Sequence, residues 1–126
     1  MMLVLDTNVV SELMRPQPDE RVLGWIRRQP VGTMAVTAIT IMEIRYGIAR
    51  LPEGVRKGAL EAKFRQFLAR GFASRILPFD EAAAEMSATM RALRSRMGRH
   101  IGTEDCMIAG IARQQGATVV TRDARL

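Results

Sequence analysis

Cysteine is nearly absent from this sequence: Cys106 is the only one among 126 residues. An intramolecular disulfide is therefore excluded, which fits a reducing, cytoplasmic setting. Histidine is as scarce, with His100 alone, so no Cys/His cluster can be assembled for zinc. The aromatic set is one Trp, one Tyr and four Phe. These are too few and too scattered to build a base-stacking platform. Long apolar runs are missing as well. Polar or charged residues break each run short of a membrane-spanning length, so no membrane partner is expected. The start, Met1 to Asp6, is too short and too uncharged for a signal peptide. No segment is low in complexity and no internal repeat is visible.

What remains suits one globular unit. Hydrophobic residues make up 48% of the chain, enough for a single core, and the expected organisation is one domain over residues 1–126. The net charge is +6, and of the 19 basic residues all but Lys57 and Lys63 are Arg. Arg forks match phosphate geometry, and a basic surface draws polyanions over a distance. A solvated surface accounts for the same charge equally well.

Along the chain, Leu3-Val4-Leu5 reads as a buried strand ended by Asp6-Thr7-Asn8. A short helix over Val9 to Met14 follows. A second starts near Pro18, with Asp19 and Glu20 as solvated first-turn acids. Thr33 to Val36 is a second strand, and Thr37 N-caps a helix running to Arg50. Leu60, Phe64, Phe67 and Leu68 mark another helix by their spacing. Ile76-Leu77 is a third strand, and Asp80 caps a long helix. The stripe Met86, Met90, Leu93 and Met97 of that helix is expected to pack in the core. Thr103 is expected to cap a last helix ended by Gly116, before a strand over Ala117 to Val120. Strands alternating with helices imply an α/β fold: a three-layer arrangement with a central parallel sheet of four to five strands flanked by helices. In such sheets ligands sit beyond the carboxyl ends of the strands.

Four acids fall where that rule points. Asp6 ends the first strand, where a helix-capping role is also open to it. Glu43 stands in an otherwise uncharged run, and a carboxylate on a buried face needs a cation or a proton. Arg45 and Arg50 are the candidates for a purely structural ion pair with it. Asp105 lies three, four and seven residues before Ile108, Ala109 and Ala112, so it faces with the core stripe. Glu104 is the alternative inward acid. Asp123 follows the last strand, flanked by Arg122 and Arg125. Carboxylates gathered at one sheet edge repel unless protonated or bridged by a cation. Oxygen ligands suit Mg²⁺ or Mn²⁺, and such an ion suits phosphodiester hydrolysis.

These segments resemble the PIN-domain family. Leu5-Asp6-Thr7-Asn8 looks like its opening motif, and the stretch from Thr40 to Ala49 looks like the segment of its second acid. Thr103 to Ala109 is similar to the third-acid segment, and Val119-Val120-Thr121-Arg122-Asp123 to the fourth. Ser11-Glu12 and the run from Arg75 to Asp80 resemble the VapC/FitB toxin group. The resemblance implies a Mg²⁺- or Mn²⁺-dependent RNase acting as the toxin of a toxin–antitoxin pair. It also implies homodimers, possible higher assemblies, and inhibition by a small DNA-binding antitoxin. Asp6, Glu43, Asp105 and Asp123 become its metal-site acids, with Asn8, Thr121 and Glu104 as supports. Family members continue beyond the position of Leu126 with a last strand and tail, which the resemblance marks as absent here.

Two other readings compete. One is a regulatory partner of the antitoxin with little nuclease activity, which shares every motif. The other is a phosphotransfer enzyme of the haloacid-dehalogenase or receiver type. The first of those types wants a second Asp where Asn8 stands, and both want a late Lys, whereas no Lys follows Lys63.

Overall fold

The computed structural model describes residues 1–30, 32–72 and 75–122. Among these, four strands form one parallel sheet: β1 (Leu3–Leu5), β2 (Met34–Thr37), β3 (Ile76–Leu77) and β4 (Thr118–Val120). Their order across the sheet is β3-β2-β1-β4. Six helices accompany them: α1 (Thr7–Leu13), α2 (Glu20–Arg27), α3 (Ala38–Ala49), α4 (Val55–Gly71), α5 (Glu81–Arg96) and α6 (Thr103–Gln114). The α/β class, the parallel sheet and the flanking helices are as the sequence predicts.

Side chains alternate across a strand, and this sheet uses both faces. Leu5 and Val36 pack on one side with Val9, Val10, Phe64 and Leu68 of α1 and α4. Val4 and Ala35 pack on the other with Ala83 of α5 and Ile108 and Ile111 of α6. The central strands β1 and β2 are thus packed on both sides, which is why they carry no polar alternation.

Four helices start on side-chain caps. Asp6 accepts from the Val9 amide at 3.0 Å, Asp19 from Arg21 at 2.8 Å, Thr37 from Thr40 at 3.1 Å and Asp80 from Ala83 at 2.9 Å. Each such cap stabilises by about 1 kcal/mol. The expected cap of α6 is corrected. Gly102 occupies the cap position and Thr103 is the first helical residue. Glu104 and Asp105 still lie in the first turn, where the helix dipole favours acids.

The Met stripe of α5 is also corrected. Met86, Leu93 and Met97 are exposed, at 38%, 51% and 55%. The buried residues of α5 are instead Ala83 and Ser87. Small side chains on this ridge let α5 approach α6 closely. The Ser87 hydroxyl donates to the Cys106 carbonyl and the Cys106 thiol donates to the Ser87 carbonyl, both at 3.1 Å. Gly110 completes the contact. A Cβ there would stand 1.9 Å from Ser87 Oγ and 2.7 Å from the Ala83 carbonyl oxygen. Two helices that meet backbone to backbone leave no room between them for a methionine. Among the described residues no helix is long and apolar enough to cross a membrane.

Candidate active site

The register of β1 against β4 places the first acid. Leu5 pairs with Val120, and the Asp6 amide donates to the Val120 carbonyl at 3.0 Å. Asp6 and Thr121 therefore leave the sheet side by side at its carboxyl end. Asp6 is only 2% exposed. Its Oδ1 caps α1, so the capping role open to it in the sequence is real, and a carboxylate has a second oxygen to offer. Thr121 is half-buried. Asp123 lies outside the described residues.

Glu43 reaches the same region from α3. The Thr7 hydroxyl donates to Glu43 Oε1 at 2.6 Å, and Thr7 Oγ1 lies 3.0 Å from Thr40 Oγ1. A hydroxyl has one proton, so with Thr7 donating to Glu43 the Thr40 hydroxyl donates to Thr7. Burial pushes the Glu43 carboxyl above the usual carboxylate range. The Thr7 hydrogen bond works against that rise, and the charges of Glu104, Asp105 and Asp6 add to it. The ion-pair alternative finds no support. The Arg45 guanidinium lies over the Phe64 ring, 5.4 Å from its centroid, and that of Arg50 over Tyr46 at 5.0 Å.

The third and fourth carboxylates come from the first turn of α6. Asp105 is half-buried and Glu104 exposed, so Asp105 is the inward acid. Its Oδ2 stands 3.6 Å from where a Cβ on Gly102 would be, folded back over the helix start. Glu104 nevertheless ranks before Asp105 among the charges acting on Glu43. The structure thus brings Asp6, Glu104 and Asp105 within electrostatic reach of Glu43. Among the described residues no three His, Cys, Asp or Glu side chains close up tightly enough to hold a metal ion.

Neutralising Glu43 tests this crowding. A carboxyl whose folded value is raised binds its proton more tightly in the folded chain than in the unfolded one. Stability then falls as pH rises from the ordinary glutamate value through the raised one, and the whole penalty is present at neutral pH. Glu43→Gln in EDTA is therefore expected to melt above wild type at pH 7, with the gap closing towards pH 4. A variant that melts well below wild type would mean that Glu43 is half of a structural ion pair with an arginine.

The sequence model of the PIN domain family matches residues 3–126. The chain belongs to the PIN domain family. Its relatives include Toxin FitB of Neisseria gonorrhoeae, 43% identical over 97% of this chain and 88% of that protein. They also include VapC ribonuclease Y4jK of Sinorhizobium fredii, 40% identical over 97% of this chain and 87% of the relative. The crystal structure of FitAcB from N. gonorrhoeae superposes with a TM-score of 0.90 at 43% identity, covering 97% of this chain and 88% of that one. FitAB bound to an IR36 DNA fragment gives the same TM-score and identity, over 97% and 85%. This PIN domain shares its α/β fold with the gonococcal structures.

A charged network at the sheet edge of the PIN domain goes beyond the sequence motifs. Glu12 of α1, 8% exposed, accepts from the Asp19 amide at 2.8 Å, from Arg122 at 2.9 Å and from Arg15 at 3.3 Å. These contacts, the Asp19 amide first, hold its carboxyl below the usual range. Arg122 also reaches Asp19 Oδ2 at 3.3 Å. Asp19 is therefore not the solvated acid expected from its position. It caps α2 and pairs with Arg21 and Arg122. Asn8 is exposed and lines a groove with Ser11, Glu12 and Arg15, so the hydroxyl beside Glu43 belongs to its neighbour Thr7. Thr40 was findable in the sequence, because it sits one helical turn before Glu43 on the same face. The partnership of Glu12 with Arg122, 110 positions apart, left no trace in the spacing.

Proposed function

We propose that this PIN domain is the ribonuclease toxin of a toxin–antitoxin pair, hydrolysing RNA phosphodiester bonds with Asp6, Glu43 and Asp105, joined by Asp123. The observation that carries this reading is the convergence of three acids at the carboxyl end of the sheet: Asp6 is buried there, Glu43 is bonded to the adjoining Thr7, and Asp105 lines the same cleft as Asp6. Negative charges that crowd the Glu43 carboxyl form with it a donor set that a cation relieves. The oxygen-only composition fits Mg²⁺ or Mn²⁺, held by Asp6, Glu43, Asp105 and Asp123. When bound, such an ion activates a water and offsets charge on the phosphoryl oxygens.

The chain's own residues orient that set. The Val9 amide and the β4 hydrogen bond fix Asp6 at both side chain and backbone. Thr7, backed by Thr40, fixes Glu43. Thr121 leaves the sheet beside Asp6, Glu104 adds its charge from the first turn of α6, and the net charge of +6 draws RNA to the surface. RNA as substrate makes the cytoplasm the working compartment. The complex of the gonococcal relative on DNA supports a DNA-binding antitoxin as partner. Met42 and Tyr46, one turn apart on α3, are 52% and 63% exposed and offer apolar surface for a homodimer.

Protein purified free of antitoxin and incubated with total RNA is expected to cut it with Mg²⁺ and not with EDTA. Intact RNA under both conditions would favour the regulatory-partner reading, in which the chain serves mainly in an antitoxin–DNA complex. Metal should register in stability too. An ion that binds only the folded state adds about 2.7 kcal/mol when its free concentration is a hundredfold above the dissociation constant. Mg²⁺ is thus expected to raise the melting temperature by several degrees, and Na⁺ at matched ionic strength by less. Asp105→Asn should shrink that rise, whereas the exposed Glu61→Gln on α4 should not. Equal responses in all three proteins would mean that the acids do not act as one site.

A further inference from the structure

The apolar stripe that α5 leaves uncovered does not end in open solvent. Leu93 and Met97, with Ile101 beyond the helix end, form one wall of a cleft of about 330 Å³. Asp6 and Asp105 line the same cleft, and Arg99 and Arg113 bring positive charge to it. Beside the acids, guanidinium groups and an apolar wall in one small cavity match the phosphate and the base of a nucleotide chain. A phosphodiester at the acids needs positive charge nearby to offset repulsion. Arginine forks supply it and match phosphate geometry. The base on the adjoining nucleotide needs an apolar surface, and a methionine thioether makes favourable contacts with aromatic rings. The sequence offers no aromatic platform for this, which leaves the aliphatic and thioether wall as the surface available beside the acids.

We propose that this cleft is a subsite for one unpaired base of the RNA, next to the phosphodiester on which the Asp6 and Asp105 site acts. The proposal rests on the ribonuclease reading above and adds a requirement to it. A base can enter the cleft only when it is out of its helical stack, so cleavage is confined to loops, bulges and single strands. The arginines act on the backbone and carry no base preference. Any preference among bases comes from the fit against Leu93, Met97 and Ile101.

The test joins a binding measurement with a kinetic one. Methyl resonances of Met90 and Met97 are followed in EDTA while a short single-stranded oligoribonucleotide is added, with ribose 5-phosphate and a fully paired duplex as controls. The single strand is expected to shift Met97 and the controls are not; no shift, or equal shifts with ribose 5-phosphate, overturns the proposal whether or not the protein cuts RNA. In Mg²⁺, an abasic residue scanned along the oligonucleotide should raise KM about tenfold at one position beside the cut, leaving kcat nearly unchanged. The exposed-residue double variant Leu93→Ser/Met97→Ser should lose that discrimination, while Arg113→Gln should weaken intact and abasic substrates alike. A double variant that still discriminates overturns the subsite. A double variant that instead turns a dimer into a monomer in sedimentation, with the Met97 shift absent in wild type, assigns the wall to a second copy of the chain. RNA left uncut by wild type, with the Met97 shift present, would sink the ribonuclease reading and leave the base-binding cleft standing.

Discussion

Asp6→Asn and Asp105→Asn proteins are each expected to cleave RNA at least about a thousandfold more slowly than wild type while staying folded. A thousandfold loss corresponds to about 4 kcal/mol of transition-state stabilisation, within what a bound divalent ion contributes. The fold should tolerate both changes for different reasons. Asparagine caps a helix about as well as aspartate, so the bond from the Val9 amide survives at position 6. At position 105 the change removes one first-turn charge from α6, a loss of about 0.3–1 kcal/mol. Initial rates on a mapped RNA substrate, with circular dichroism melts alongside, check both halves. A folded variant of either kind cutting at the wild-type rate would remove that acid from the site.

The largest effect on stability is expected far from the acids, at Gly110. Alanine there places a methyl group 1.9 Å from Ser87 Oγ and 2.7 Å from the Ala83 carbonyl oxygen. Neither is the free end of a flexible chain, since Ser87 is buried and hydrogen-bonded and Ala83 is helix backbone. The two helices must separate or tilt. Overpacking of this kind costs about 1–3 kcal/mol and sometimes more, so Gly110→Ala should melt about 5–15 °C below wild type. Ser87→Ala added to it should restore part of the loss, because it removes the oxygen and leaves the carbonyl contact. A Gly110→Ala protein that melts with wild type would show that α5 and α6 can part at this point without cost.

The parts of the fold legible in the sequence are those set by neighbours in the chain. Leu3-Val4-Leu5 followed by Asp6 has only one reading in a parallel sheet, and Thr37 and Asp80 announce the helices they cap. The parts that were not legible depend on residues far apart. Apolar spacing put Met86, Met90, Leu93 and Met97 on one stripe but could not say that the packed face would be the small-residue one. That choice is made by Gly110 and Ser87, which carry no hydropathy signal. The same holds at the site. Asp6, Glu43 and Asp105 stand out because carboxylates beside apolar stripes are conspicuous. Thr7 donates to Glu43 across 36 positions, and a threonine in a polar turn is inconspicuous. Asp19 departs from the solvated acid its position suggests partly because the second of its arginine partners, Arg122, lies 103 residues away.

The paired hydrogen bonds between Ser87 and Cys106 give this chain a built-in reporter. Its single thiol is 2% exposed, and burial raises its pKa, which suppresses the reactive thiolate. A thiol reagent can reach it only when α5 lifts from α6. The rate of alkylation under native conditions therefore reports how often that seam opens. The cleft beside the acids is bordered by the same two helices, so a seam that opens rarely hands incoming RNA a shape already formed.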